Sequence, residues 1–102
     1  MCFKDLPLYF ENAAGHVREH PVGYAIVCYH AGERYELDLE VLLVHAGQLL
    51  RARGWNRLLS DQRLMTPYTL VEKTWVNAFW ASQQGSHLGK FWLAVLATPL
   101  PT

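Results

Sequence analysis

Residues 55–69 constrain the fold of this chain more than any other segment. They begin as a short apolar strand around Leu58 and Leu59, continue into an Asp-Gln-Arg cluster, and cross a proline turn into a helix. Amphipathic helical patterns lie on both sides. A strand between two helices predicts a small α/β domain, and we expect this strand to be the central one of its sheet.

The helix before this strand is predicted over residues 38–53. Its apolar residues recur at helical spacing: Leu39, Leu42, Leu43, Ala46, Leu49 and Leu50. Asp38 is suited to cap the start, and Gly54 is the expected stop. Gly47 costs about 1 kcal/mol relative to alanine inside a helix, which indicates close packing, and we expect a strand to be the neighbour.

A second helix is predicted to begin at Thr69, because Thr69 and Glu72 have the spacing of a capping box. It should run to residue 83 or 84, with Gly85 as the stop. Its expected buried stripe is Val71, Trp75, Ala78 and Phe79.

The other strands are predicted at residues 8–12, 16–20, 23–30 and 90–97. The first two should form an antiparallel hairpin, and strands joined by helices should pair parallel. The expected fold class is α/β, with a mixed sheet of about four or five strands and two main helices packed mainly on one face. One domain should span residues 1–102, with irregular tails at 1–6 and 98–102.

Charge and composition exclude several classes of protein. Nine lysine and arginine residues balance nine aspartate and glutamate residues, which leaves no electrostatic footprint for nucleic acid and favours self-association. No apolar run reaches the ~18–20 residues of a membrane-spanning helix, and no secretory signal opens the chain. We therefore expect a cytoplasmic protein with Cys2 and Cys28 as reduced thiols, Cys28 being buried in a strand. No cofactor is predicted.

Residues 8–97 resemble the SpoIIAA-like, STAS-related domains of bacteria. The most specific part is a helix ending in Arg-Gly followed by a Leu-Leu-x-Asp-x-Arg strand at residues 58–63, and the residues at 9–13 and 20–24 are similar to the N-terminal hairpin of those domains. The resemblance implies a SpoIIAA/STAS-like fold and a regulatory or protein-interaction module that is not an enzyme.

The chain departs from that family in two ways. Residues 61–67 lack the serine that a kinase modifies in anti-sigma-factor antagonists, so such phospho-switching is not expected. Related domains continue into a terminal helix, whereas this chain ends at Thr102. The missing helix would leave apolar surface for a second copy to cover, so a homodimer is expected.

The predicted binding site lies at the end of the Leu58 strand, where Asp61, Gln62 and Arg63 are placed to orient a polar ligand or a partner loop. The alternative is an aspartate that caps a turn and an arginine that pairs with it. Thr66 belongs to the same surface. Phosphorylation of Thr66 or Thr69 would bring negative charge to a helix N-terminus, although the capping box accounts for Thr69 without it.

Aromatic and histidine residues give the remaining candidates. Trp80 falls off the centre of the second helix's apolar stripe, which makes it a candidate interface anchor or a residue at the edge of the core. His16 and His20 should share one strand face with His30 nearby, but no cysteine or aspartate at ligand spacing accompanies them, so no metal site is predicted. An alternative function is a small-ligand carrier for a lipid or metabolite, with its pocket between sheet and helices.

Overall fold

A computed structural model describes residues 5–83 and 91–97 of the chain. It confirms the α/β class, with a five-stranded mixed sheet, an N-terminal antiparallel hairpin and two helices. The elements in chain order are β1 (Leu8–Asn12), β2 (Gly15–His20), β3 (Tyr24–Tyr29), α1 (Glu36–Arg53), β4 (Arg57–Asp61), α2 (Leu70–Gln83) and β5 (Trp92–Leu96). The predicted helix stop at Gly85, the tail at 98–102 and most of the tail at 1–6 lie outside the described residues. Neither helix is long and apolar enough to cross a membrane.

The strands lie in the spatial order β1-β2-β3-β4-β5. The first three pair antiparallel, whereas β4 pairs parallel with both β3 and β5 because a helix joins each of these pairs. The expectation that the Leu58 strand is central is therefore wrong. The middle strand is β3, which has β1 and β2 on one side and β4 and β5 on the other.

Both helices pack on the same side of the sheet, which we call the helix face; the opposite side is the outer face. The register places Val17, Val27 and Leu58 on the helix face, where they join one apolar cluster with α1 and α2. Every residue of the stripe predicted for α1 is buried there: Leu39, Leu42, Leu43, Ala46, Leu49 and Leu50. The amphipathic period of α1 thus creates the core.

α1 ends as predicted but begins earlier. Gly54 has a φ of 68°, and its N–H donates to the carbonyl of Arg51, so the glycine ends the helix in the left-handed conformation that its missing Cβ permits. The prediction that Asp38 caps the start is wrong, since Tyr35 is the N-cap and makes no side-chain cap bond. Asp38 instead lies in the first turn, where its charge still favours the helix dipole.

α2 begins with the predicted capping box. The backbone N–H of Glu72 donates to the Thr69 hydroxyl at 3.1 Å, and the N–H of Thr69 donates to the Glu72 carboxylate at 2.9 Å. The predicted stripe is wrong in part, because Val71 and Ala78 are exposed. The buried row is Glu72, Val76 and Trp80, one residue every four.

The two helices meet at Gly47. A Cβ on this residue would lie 3.2 Å from the ring of Phe79, so a helix and not a strand is the neighbour that this glycine admits. Phe79 also stacks on Trp75 with 5.1 Å between ring centroids, and both rings are half-buried as part of the predicted stripe. This contact lets α2 pack closely against α1.

Candidate functional site

Asp61 and Arg63 form an ion pair at the end of β4. The Arg63 Nε and Nη2 donate to the two carboxylate oxygens of Asp61 at 2.9 and 2.8 Å, and the Arg63 backbone N–H reaches Oδ1 at 3.3 Å. The Cys28 thiol lies 3.4 Å from Oδ2. The Arg63 hydrogen bonds outweigh burial and lower the pKa of Asp61 from 3.8 to about 2. Asp61 is therefore a buried, charged carboxylate that fixes the turn after β4.

The polar groups around this pair face a shallow depression. Gln62 donates to the Ser60 hydroxyl at 3.0 Å, and Arg63 is about one-third exposed. The depression has a volume of about 370 Å³ and is lined by Gln62, Arg63, Met65, Pro67, Tyr68, Lys73 and Ala97. The geometry matches the turn-capping alternative, and a binding role for Asp61, Gln62, Arg63 and Thr66 stays a prediction.

The two threonines near α2 hold the loop before it. Thr69 belongs to the capping box, and the Thr66 hydroxyl donates to the carbonyl of Gly32 at 3.0 Å. Phosphorylation at either residue stays a prediction.

Arg34 has a buried side chain that sequence reasoning missed. Its guanidinium donates to the carbonyl of Thr66 at 2.7 Å and to the Glu72 carboxylate at 2.8 Å, and it lies 5.4 Å from the centre of the Tyr68 ring. Only 5% of each charged side chain is exposed. Arg34 therefore ties the loop after β3 to the start of α2. No local pattern marks it, since the residue lies in a polar turn segment 38 positions from Glu72.

Two tyrosines extend this buried polar cluster into the core. The hydroxyls of Tyr29 and Tyr68 lie 2.6 Å apart and share a hydrogen bond. Burial raises the pKa of both, that of Tyr29 well above its ordinary value. Both hydroxyls therefore stay neutral in the folded protein.

Trp80 is not the exposed anchor that one sequence interpretation suggested. Its side chain is 9% exposed, and its ring stacks on Phe91 with 5.1 Å between centroids. The exposed interpretation is wrong because α2 is rotated toward the row of Val76 and Trp80. The alternative, a residue at the edge of the core, is closer to the structure, in which Trp80 belongs to the core cluster.

Two of the histidines lie close together with a glutamate on the outer face. His30 Nε2 lies 3.4 Å from Glu11 Oε2, and His16 Nδ1 lies 4.0 Å from the same oxygen. The rings of His16 and His30 are 5.6 Å apart in an edge-to-face arrangement. His20 shares the face of His16, as expected, but stacks on Tyr24 outside this cluster.

β5 forms one edge of the sheet and carries a large exposed apolar surface. Trp92 is 54% exposed, Leu93 50% and Val95 53%. The register with β4 places Leu93 and Val95 on the helix face and Trp92 on the outer face. The strand has no charged residue and no proline, which are the usual protections of an exposed edge.

Comparison with known proteins gives no match for this chain among family models, curated proteins or solved structures. The STAS-like resemblance therefore stays a prediction. A fold of this architecture also hosts many unrelated functions, so function has to be argued from the surfaces and side chains above.

Proposed function

We propose that this protein is a non-enzymatic interaction module that pairs with a second copy of itself along β5. The observation that supports the proposal is the exposed, uncharged, apolar edge strand. Such an edge is a template for another strand, and strand addition is a common mode of protein recognition. A regulatory role of the STAS type and a cytoplasmic location belong to the same proposal.

The backbone of β5 offers hydrogen-bonding groups at this edge. The N–H of Trp92 donates to the carbonyl of Asn56, and the carbonyl of Leu96 accepts from Gln62, so these residues direct their backbone groups toward β4. Because the direction alternates along a strand, Leu93 and Val95 direct theirs away from β4. Within residues 5–83 and 91–97 no further strand lies beyond β5.

The arrangement of side chains suits a two-fold dimer. Antiparallel pairing centred on Ala94 would place Leu93 of one copy opposite Val95 of the other, with both residues on the helix face. Each such pair would exchange two backbone hydrogen bonds, and the small Ala94 would meet its own copy at the axis. This is an isologous contact, in which one patch is complementary to itself.

The exposed area indicates how strong such a dimer would be. Taking about 150–250 Å² for a full large side chain, Trp92, Leu93 and Val95 together expose roughly 300 Å² per copy. Two copies would therefore bury at most roughly 600 Å² of side chain, which is below the ~1,200–2,000 Å² of a standard stable interface. The zero net charge of the chain adds no repulsion between copies. We therefore expect a weak, reversible dimer with a dissociation constant in the micromolar range or above.

The test is the molecular mass in solution from micromolar to millimolar protein by sedimentation equilibrium. The mass should rise from 11.7 kDa toward twice that value. Val95→Lys should weaken the dimer at least tenfold, because it brings a lysine from each copy close to the axis. Leu37→Lys is the matched control, since this residue is also apolar and exposed but lies in the first turn of α1. The proposal would be refuted if the mass stayed at that of one chain over the whole concentration range. It would also be refuted if Val95→Lys formed the dimer as strongly as the wild-type chain does.

A second candidate function is the binding of a small apolar ligand. A depression of about 350 Å³ is lined by Tyr24, Arg57, Leu58, Leu59, Trp92, Leu93 and Ala94. The register places most of these side chains, all but Leu58 and Leu93, on the outer face. The depression is within the usual size range of ligand pockets, and Arg57 would favour an anionic head group. The pocket expected between sheet and helices is a different place, and it stays a prediction. A thermal-shift panel of lipids and carboxylic metabolites in which no compound raises the melting temperature would count against this function.

A further inference from the structure

We propose that Glu11, His16 and His30 bind a divalent transition metal ion, of which Zn²⁺ is the first to test. Three neighbouring chain segments supply these residues. The register of β1 and β2 places Glu11 directly opposite His16, and His16 lies opposite Cys28 on β3. His30 follows two residues after Cys28 and therefore points to the same, outer face. The sheet itself brings the three ligands together.

The distances suit a metal ion. One ligand atom of each residue lies within 4.8 Å of the others, and Glu11 Oε2 lies 3.4 Å from His30 Nε2 and 4.0 Å from His16 Nδ1. A tetrahedral ion with ligands at about 2.0–2.1 Å holds its ligand atoms roughly 3.4 Å apart. The Glu11–His30 pair already has that separation, and small side-chain rotations would bring in His16.

The donor set favours the transition metals. Imidazole suits zinc, nickel, copper and iron, whereas calcium and magnesium prefer sites made of oxygen atoms alone. Three protein ligands would leave at least one coordination position for water or another small ligand. The ion has access from solvent, because the side chains of Glu11 and His30 are 48% and 38% exposed, while His16 is held in the sheet.

This site is separate from the dimer surface. Glu11 lies in β1, His16 in β2, and His30 directly after β3, whereas the proposed dimer uses β5 at the other edge of the sheet. If no metal bound, the dimer proposal would be unaffected. If no dimer formed, the metal-site proposal would be unaffected.

The experiment is Zn²⁺ titration calorimetry on the full chain without an affinity tag, after treatment with a chelator. We expect one ion per chain. His30→Ala and Glu11→Gln should each weaken binding at least tenfold without loss of folding, because both side chains are partly exposed. His20→Ala is the matched control, since this histidine lies on the same strand and face as His16, and its affinity should stay within twofold of wild type.

A second measurement locates the ion. In NMR spectra of the imidazole nitrogens, Zn²⁺ should shift the signals of His16 and His30 and leave those of His20 and His45 unchanged. The proposal is overturned if no saturable binding occurs up to millimolar Zn²⁺, or if His30→Ala and Glu11→Gln bind as wild type does. It is also overturned if His20→Ala causes an equal loss, or if half an ion binds per chain, since that ion would bridge two copies.

Discussion

The buried ion pair of Arg34 and Glu72 should couple the loop after β3 to α2 more strongly than any surface pair couples its partners. Their charged atoms lie 2.8 Å apart with 5% of each side chain exposed. Removing one partner leaves the other charge buried and unpaired, which costs about 3–5 kcal/mol. Arg34→Met or Glu72→Leu alone should therefore remove a large share of a typical unfolding free energy of about 5–15 kcal/mol.

The double variant should cost much less than the two single variants together. With both charges gone, the remaining losses are the N-cap bond that Glu72 accepts from Thr69, about 1 kcal/mol, and the bond from Arg34 to the Thr66 carbonyl, also about 1 kcal/mol. Two single losses of at least about 3 kcal/mol each, against a double loss of about 2 kcal/mol, give a coupling energy of at least about 4 kcal/mol. The assay is urea unfolding of wild type, both single variants and the double variant, followed by tryptophan fluorescence.

The ion pair of Arg53 and Glu19 is the control, because its N–O distance equals that of the Arg34–Glu72 pair but its side chains are more exposed. Its charged atoms also lie 2.8 Å apart, but the side chains are 55% and 19% exposed. A pair in contact with solvent is worth at most about 1 kcal/mol. If the two cycles gave the same coupling energy, the reasoning from burial would be refuted.

Two further perturbations test other parts of the structure. The pKa of Asp61 is about 2 in the folded protein, below its ordinary value of 3.8. Its ionised form therefore stabilises the fold by about 2 kcal/mol above pH ~4, and this contribution is lost as the pH falls toward 2. Unfolding of wild type and Asp61→Asn at several pH values should show their difference shrinking across that window. Gly15→Ala should prevent folding or cost more than ~3 kcal/mol of unfolding free energy, because its Cβ would overlap the carbonyl of Cys28. Gly32→Ala should cost only about 1 kcal/mol, because the space around this residue is open and only its φ of 93° is unfavourable for alanine. Thermal unfolding of both variants measures the difference.

Features fixed by neighbours along the chain could be predicted from the sequence. The α1 stripe, its stop at Gly54 and the capping box of Thr69 and Glu72 each depend on residues within a turn or two of one another. Local hydrogen bonding and helical period suffice to determine them. The N-cap was the exception. Asp38 was the better capping residue by type, but the helix begins at Glu36 without a side-chain cap.

Features that depend on distant partners could not be predicted. α2 has apolar residues on two rows, Trp75 with Phe79 and Val76 with Trp80, and its own period does not say which row is buried more deeply. Glu72 joins the buried row only because Arg34 neutralises it from another loop. Sequence reasoning gave no reason to bury a glutamate.

The candidate metal cluster shows the same limit. Glu11 carries no signal of its own in the sequence, because it is one exposed acidic residue in a short strand. It meets His16 and His30 only through the pairing of β1 with β2 and of β2 with β3. Spacing along the chain indicated that His16 and His20 share a face, which is correct. The closer companions of His16, however, are Glu11 of β1 and His30 directly after β3.

The two edges of the sheet differ in a way that determines what kind of assembly β5 can form. If β5 of one copy met β1 of the next, the contact would be heterologous and copies would add without end. β1 has a register shift between Leu8 and Phe10 and carries the charged Glu11, and bulges and charges both discourage strand addition. β5 has neither. Pairing of β5 with β5 uses up the only unprotected edge among the described strands, so the assembly should stop at two copies. A mass that keeps rising beyond twice 11.7 kDa with concentration would mean that β1 also pairs.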